Sequence, residues 1–269
     1  MDYGAIVSDS VRYSKAALFG KPLTWLVFIL CSLPFVLINF LYDPKTLVSA
    51  TGQFRWEMIP WTQIALLGLL GLLLSFIVSG YIVRIFRGIT PPPSFDSFGA
   101  LYIDGIKLFI VGLVWMIPAL VILVAAFIMM VFGAMTGAGS VGTLISAGFI
   151  LLMIGLIVLV ITVIYAYLGC VRFARTGSMS EAFRVSTLTG TIQAIGWGAY
   201  ILALVIIAVL LLLFGLIIAL LALIPLVGWL IQVILQPLLQ VFGARYISRV
   251  YDHGFPQEQS PAPAAVVEG

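Results

Sequence analysis

"VSTLTGTIQAIGWGAYILALVIIAVLLLLFGLIIALLALIPLVGWLIQVILQPLLQVFGA" (residues 185–244) runs for sixty positions without a charged side chain. As one helix it would measure about 90 Å, three times the roughly 30 Å hydrocarbon layer of a bilayer. The run must therefore turn, and Pro225 and Gly228 within "LIPLVGW" (223–229) supply the break. It reads as two crossings, over 192–221 and 228–248.

The rest of the chain has the same character. It is 63% hydrophobic and 9% charged over 269 residues, with a mean hydropathy of +1.23. Soluble domains carry about 25% charged residues, so too few polar side chains exist here to coat a water-exposed globule. Charge-free stretches long enough to cross also occur at 22–42, 58–83, 108–132 and 133–171, the last opening on a glycine-rich turn. The expectation is an all-α integral membrane protein with six transmembrane helices. Asp2, Asp9, Arg12, Lys15 and Lys21 precede the first apolar stretch, and no short apolar region with a small-residue cleavage site follows. That stretch reads as a retained span and not a signal peptide.

Six crossings place both termini on one side. Arg12, Lys15, Lys21, Arg84, Arg87, Lys107, Arg172, Arg175, Arg184, Arg245 and Arg249 then share that side, while Lys45 and Arg55 face the other. Positive charge is retained in the cytoplasm, so the reading is a multi-pass protein of the cell membrane with cytoplasmic N and C termini. An odd number of spans would destroy the separation. The outer face has one substantial loop, 43–63, with Trp56 and Trp61 suited to the interface. The Pro/Ala/Gln-rich tail 254–269 reads as a disordered cytoplasmic segment, and 1–253 as a single transmembrane domain.

The chain also repeats itself. "SDSVRYS" (8–14) aligns with "SEAFRVS" (180–186), and "FDSFG" (95–99) keeps the acid followed two places later by a hydrophobe. Arginine pairs close the inward spans in "GYIVRIFRG" (80–88), "GCVRFARTG" (169–177) and "GARYISRVYDHG" (243–254). Three tandem helical hairpins of the same orientation follow, over about 8–88, 95–177 and 180–253, with short interfacial helices on the cytoplasmic side. Arg84, Arg87, Arg172, Arg175, Arg245 and Arg249 then sit at helix C-termini and at phosphate depth, where free carbonyls favour cations. Anchoring and headgroup binding are their expected roles. Asp9, Asp96 and Glu181 fit first-turn positions or partners for these arginines.

Gln232, Gln236 and Gln240 step round the last helix by only 40° each and make a polar membrane stripe. They can line a route or site for a polar solute, or hold helices together. Pro237 frees the Val233 carbonyl, which a glutamine amide could satisfy, so interhelical hydrogen bonding is the favoured reading. Asn39, Gln63, Ser75, Thr162 and Gln193 could face the same interior. Gly71, Ser75 and Ser79 form a small-residue row suited to close helix packing.

The segment "RIFRGITPPPSFDSFGALYIDGIK" (84–107) resembles a polytopic membrane family known as domain of unknown function 4013. The shared features are an arginine–glycine exit, a proline-containing link, an F-D-x-x-G-like turn and a D-G-x-K run into the next span. The resemblance extends over about 8–254 and implies a multi-span membrane protein, with no known activity or catalytic residues. Read from the residues alone, Pro91–Pro93 form a semi-rigid link, Ser94 or Asp96 can cap the next helix, and Phe95, Phe98 and Tyr102 suit the interface.

Reactive chemistry is sparse. His253 is the only histidine, Cys31 and Cys170 lie in apolar segments, and no phosphate-binding glycine loop occurs. No ionisable Asp, Glu, Lys, Arg or His falls at mid-membrane depth, where coupled carriers need one. These features argue against an enzyme, a metal centre or a cofactor. The net charge of +3 is distributed as loop anchors, which points to membrane lipids and not to nucleic acid. The expected role is passive binding or uncoupled transport of a neutral or amphipathic small molecule or lipid. The alternative is a non-catalytic structural or assembly protein that contacts lipids and other membrane subunits or copies of itself.

Overall fold

A computed structural model of the chain describes residues 1–41, 47, 54–135, 141–222, 224 and 228–255. Lys45, the centre of the glycine-rich turn, Pro225 and the tail beyond Phe255 lie outside those residues. Every regular element among the described residues is helical: α1 (Tyr3–Leu18), α2 (Pro22–Ile38), α3 (Trp61–Phe86), α4 (Phe98–Met135), α5 (Val141–Thr176), α6 (Val185–Ile195), α7 (Trp197–Ala222) and α8 (Gly228–His253). Single 3-10 turns stand at Trp56–Met58 and Ser180–Phe183.

Five helices, α3, α4, α5, α7 and α8, are long and apolar enough to cross a membrane. The first expected span differs. α2 has 17 residues, about 25 Å, which falls short of the hydrocarbon layer. It starts at Pro22, which suits a first helical position, and ends where the Asn39 side-chain amide donates to the Val36 carbonyl at 3.3 Å. Asn39 is therefore a cap, not an inward-facing polar group. α1 and α2 meet at 88° across a break of a few residues and count as a sixth candidate only when taken together.

α1 is amphipathic. Ser10, Tyr13, Ser14, Ala17 and Leu18 are buried, while Val11 stays exposed. The two serines fit because each donates back to the carbonyl four residues earlier, Ser10 to Ile6 at 2.7 Å and Ser14 to Ser10 at 2.8 Å. Asp2 caps the helix by accepting from the Ala5 amide at 2.9 Å.

The expected interfacial helix and span on either side of Lys107 are one continuous helix. α4 runs 38 residues and α5 runs 36, about 57 and 54 Å, so both outreach the hydrocarbon layer. Asp104 does not end α4 because Arg87 pairs with it at 2.7 Å. Asp96 does not cap α4 with its side chain, since that carboxylate is taken by Arg84 and by the Ser94 hydroxyl.

α8 is the hub. It packs against α1, α2, α3, α5, α6 and α7, and 44% of its most apolar window is buried, against 11% for α7. α2 lies along α3, α3 along α4, α4 along α5 and α7 along α8. The core gathers towards the arginine-bearing ends of α3, α5 and α8, around Tyr81, Ile85, Leu168, Phe173, Tyr246 and Val250. The remaining lengths of α4, α5 and α7 turn Leu, Ile, Val and Phe outwards, as lipid-facing surfaces do.

Of the Gly71, Ser75, Ser79 row, Gly71 packs tightly, since a Cβ there would meet the Phe35 ring of α2 at 2.8 Å, but the closest backbone approach of α3 lies elsewhere. A Cβ at Gly80 would run into the Leu101 carbonyl, and one at Gly105 into the Phe76 carbonyl. α3 and α4 thus touch backbone to backbone, and neither carbonyl can retreat as a flexible side chain could. Gly80→Ala and Gly105→Ala should each cost about 1–3 kcal/mol through overpacking. Melting of the purified protein in detergent checks this, with Gly99→Ala, which meets open space, as the neutral control.

Candidate functional site

Two features stand out: a closed ring of ion pairs and a cavity beside it. Arg84 of α3 pairs with Asp96, just ahead of α4. Arg172 of α5 pairs at 2.6 Å with Glu181, just ahead of α6. Arg245 of α8 pairs at 3.0 Å with Asp9 on α1. Each helix is thereby clamped to the start of the following segment, and the last is clamped to the first.

The second arginines tie the helices to one another. Arg175 Nε donates to the Phe86 carbonyl at 2.7 Å, at the end of α3, and Arg87 Nε donates to the Ala174 carbonyl at 3.3 Å, near the end of α5. Each thus satisfies a carbonyl that its neighbour's helix end leaves open. Arg175 also pairs with Asp252, and Arg249 shares Asp9 with Arg245 at 3.0 Å. Arg245 is the most enclosed, 4% exposed, with its guanidinium 4.5 Å from the centre of the Tyr13 ring.

All six arginines proposed for lipid headgroups therefore have carboxylate partners inside the chain. Arg12 and Arg184, by contrast, project outwards, 82% and 65% exposed. Burial pushes the Asp9 carboxyl up, but Arg245, Arg249 and Arg12 together hold it below the usual carboxylate range. Hydrogen bonds from Arg84 and Ser94 hold Asp96 low as well.

The proline link between α3 and α4 is fastened along its length. Its Ile89 carbonyl accepts from Tyr13 at 3.0 Å, Pro92 from Lys21 at 2.6 Å, Pro93 from Tyr81 at 3.2 Å and Ser94 from Arg84 at 2.9 Å. Pro92 and Pro93 are buried, and Phe95 stacks on Tyr81. The link is an internal strap.

Beside the ring, α3, α7 and α8 diverge around a cavity of about 950 Å³. Gln232, Gln236 and Gln240 all line it, with Ser75 and Ser79 from α3 and Tyr167 from α5. Leu211, Gly215, Ile218 and Ala219 form its α7 wall, and buried Phe86, Ala244 and Ile247 lie at its arginine end. Gln236 and Gln240 also border a pocket of about 130 Å³ against Phe28 and Cys31 of α2. The opening between α7 and its neighbours is explained by where α7 is tied. Tyr3 donates to the Ala199 carbonyl at 3.1 Å, Tyr246 to Ala203 at 3.0 Å, and Tyr200 to Ile164 at 2.6 Å. Those ties hold its first turns, and the cavity begins beyond them.

The glutamines keep the common face that their spacing predicts, but among the described residues none makes a side-chain hydrogen bond to another helix. Near Pro237 the carbonyl that gains a side-chain donor is not that of Val233 but that of Ile234, bonded by the Trp25 indole at 2.9 Å. Of the other polar groups expected inside, only Ser75 reaches the cavity; Gln63 and Gln193 are exposed, and Thr162 is buried apart from it. Sequence reasoning missed Ser79 as a polar wall of the cavity, although it follows Ser75 at a one-turn spacing. It also missed Tyr167, whose place depends on how α5 meets α8. Among the described residues, no three His, Cys, Asp or Glu side chains converge as a metal set.

A family model described as "Protein of unknown function (DUF4013)" matches residues 63–223, more than half of the chain. The chain belongs to the DUF4013 family. No curated protein and no solved structure shows significant similarity to it. The match runs from the start of α3 to the end of α7. The DUF4013 region therefore supplies the α3, α4, α5 and α7 walls of the cavity, while the glutamine-bearing α8 and the Asp9 helix lie outside it.

Asp9→Ala would leave Arg245 buried without a counter-charge and should cost about 3–5 kcal/mol. Thermal melting checks it, and Arg12→Ala, at an exposed pair, should cost under about 1 kcal/mol. Because the Asp9 and Asp96 carboxyls are held low in the folded state, the stability they contribute is fully present above their unfolded value near 4 and disappears as pH falls through the folded values. Melting temperature should therefore drop on acidification below about pH 4, and Asp9→Asn should flatten that drop.

Proposed function

We propose that this DUF4013 protein is a non-catalytic, multi-pass protein of the cell membrane that holds, or passively passes, a neutral or amphipathic small molecule or lipid in the cavity lined by Gln232, Gln236 and Gln240. One observation carries the reading. Three amides without side-chain hydrogen bonds among the described residues face about 950 Å³ of otherwise mostly apolar space. An amide left unpaired in a dry setting is costly, so a stripe of three is best explained by an occupant that pairs with them.

The arrangement that frames this site is also our reading. α3, α4, α5, α7 and α8 serve as five full crossings and the shorter α2, bent sharply from α1, as the sixth, in three like-facing hairpins related by the arginine–acid clamps and with α1 in the interface. The N and C termini and the arginine ring face the cytoplasm, supported by the eleven-to-two division of basic residues. Membrane lipids are the surrounding partners, contacted at the ring by Arg12 and Arg184.

Two experiments test this. If the glutamines joined helices, Gln→Leu at 232, 236 and 240 would lose three bonds worth about 0.6 kcal/mol each, roughly 2 kcal/mol and several degrees of melting temperature. The expected result is instead an unchanged or higher melting temperature, with loss of a bound neutral molecule detected by native mass spectrometry of wild type. Retention of the same bound mass by the triple variant would overturn the proposal. For orientation, Thr176→Cys should react with a membrane-impermeant maleimide only from the cytoplasmic side and Glu57→Cys only from outside, in a background with Cys31 and Cys170 replaced by Ala. Labelling of both from one side would refute the arrangement.

A further inference from the structure

A second hollow adjoins the first. Phe109, Gly112, Leu113 and Met116 of α4 and Val163, Ala166, Tyr167 and Cys170 of α5 line an open groove of about 440 Å³. Its walls are almost entirely hydrocarbon. Tyr167 lines both spaces, and Leu108 and Phe109, adjacent on α4, line one each. The glutamine cavity and the apolar groove are therefore neighbours across one residue on each of two helices.

We infer that the two hollows are the halves of one site for a membrane lipid with an uncharged, hydroxyl-bearing headgroup, the head against the glutamine stripe and one hydrocarbon tail past Tyr167 in the α4–α5 groove. This rests on the ligand-binding reading above and names the class of ligand. Among the described residues, no Asp, Glu, Lys, Arg or His lines either hollow, and the six ring arginines are already paired. A phosphate would enter without a counter-charge, at a large desolvation cost. Glutamine amides offer donors and acceptors together, and serine and tyrosine hydroxyls do the same, which matches hydroxyl groups. A small polar solute would use the first hollow and have no need of the second. A lipid uses both, and it reaches them from the bilayer in which the helices stand.

Two glycines allow the halves to be blocked separately. A Cβ at Gly243, in the cavity wall, or at Gly112, in the groove wall, meets nothing within 4 Å. Leucine at either position therefore has room for its Cβ and adds bulk to the wall of that hollow, and it favours helix over glycine. The full chain in phosphatidylcholine nanodiscs would be titrated with monooleoylglycerol, glycerol monobutyrate and oleoyl lysophosphatidic acid, with occupancy read by native mass spectrometry. Wild type should bind monooleoylglycerol at least about tenfold more tightly than oleoyl lysophosphatidic acid. Gly112→Leu should weaken monooleoylglycerol about tenfold and leave glycerol monobutyrate unchanged, whereas Gly243→Leu should weaken both. If Gly243→Leu acts but Gly112→Leu does not, the tail assignment is wrong and the cavity reading stands. Equal or tighter binding of the lysophosphatidic acid refutes the uncharged head. If neither variant alters any ligand, the binding function itself falls.

Discussion

A guanidinium at the end of an apolar helix must find its counter-charge close by, because the surroundings that favour the helix give the charge little solvation. Six such groups close α3, α5 and α8, and each is met by a carboxylate from another part of the chain. That requirement gathers the three helices at one end, where α3 and α5 each also give a backbone carbonyl to the other's arginine. The fully buried tyrosines and branched aliphatics lie at the same end. Away from it no comparable demand exists, and the helices separate. The cavity is the geometric result of fastening a bundle at one end only.

The polar groups divide along the same line. Near the ring, hydroxyls and indole groups donate to named carbonyls, and serines within helices bond back to their own turns. Along the cavity, the glutamine amides, the Ser79 hydroxyl and the Tyr167 hydroxyl have no such partners among the described residues. Side chains of one chemical type are thus structural in one half of the molecule and available in the other. α8 joins both halves, which explains why it is the least apolar of the five long helices (mean hydropathy 1.3, against 3.5 for α7) and yet the most enclosed.

Much of this was legible in the residues. Long charge-free runs fix the helices, and the 40° steps of Gln232, Gln236 and Gln240 put them on one face before any coordinates are consulted. The acids and arginines were recognisable as possible partners because they recur at similar spacing. Which arginine meets which acid was not readable, because pairing joins residues as far apart as Asp9 and Arg245. The expected interfacial helix and the span beyond Lys107 proved to be one helix, α4, within which Asp104 is paired with Arg87. Small residues were only partly informative at α3: Gly71 packs on Phe35 of α2 as its row suggested, while the closer approach to α4 rests on Gly80 and Gly105. Whether the glutamine face met a helix or a hollow depended on the course of α7, which has almost no amphipathic pattern to orient it.

The Asp9–Arg245 pair spans 236 residues of sequence, and this has a consequence for biogenesis. A chain leaves the ribosome from its first residue, so α1 reaches the lipid surface long before α8 exists. Until α8 has been made, Asp9 lacks the arginines that will hold it. Completion of α8 then fastens a helix made 236 residues earlier, so this closure of the tertiary structure comes late in synthesis.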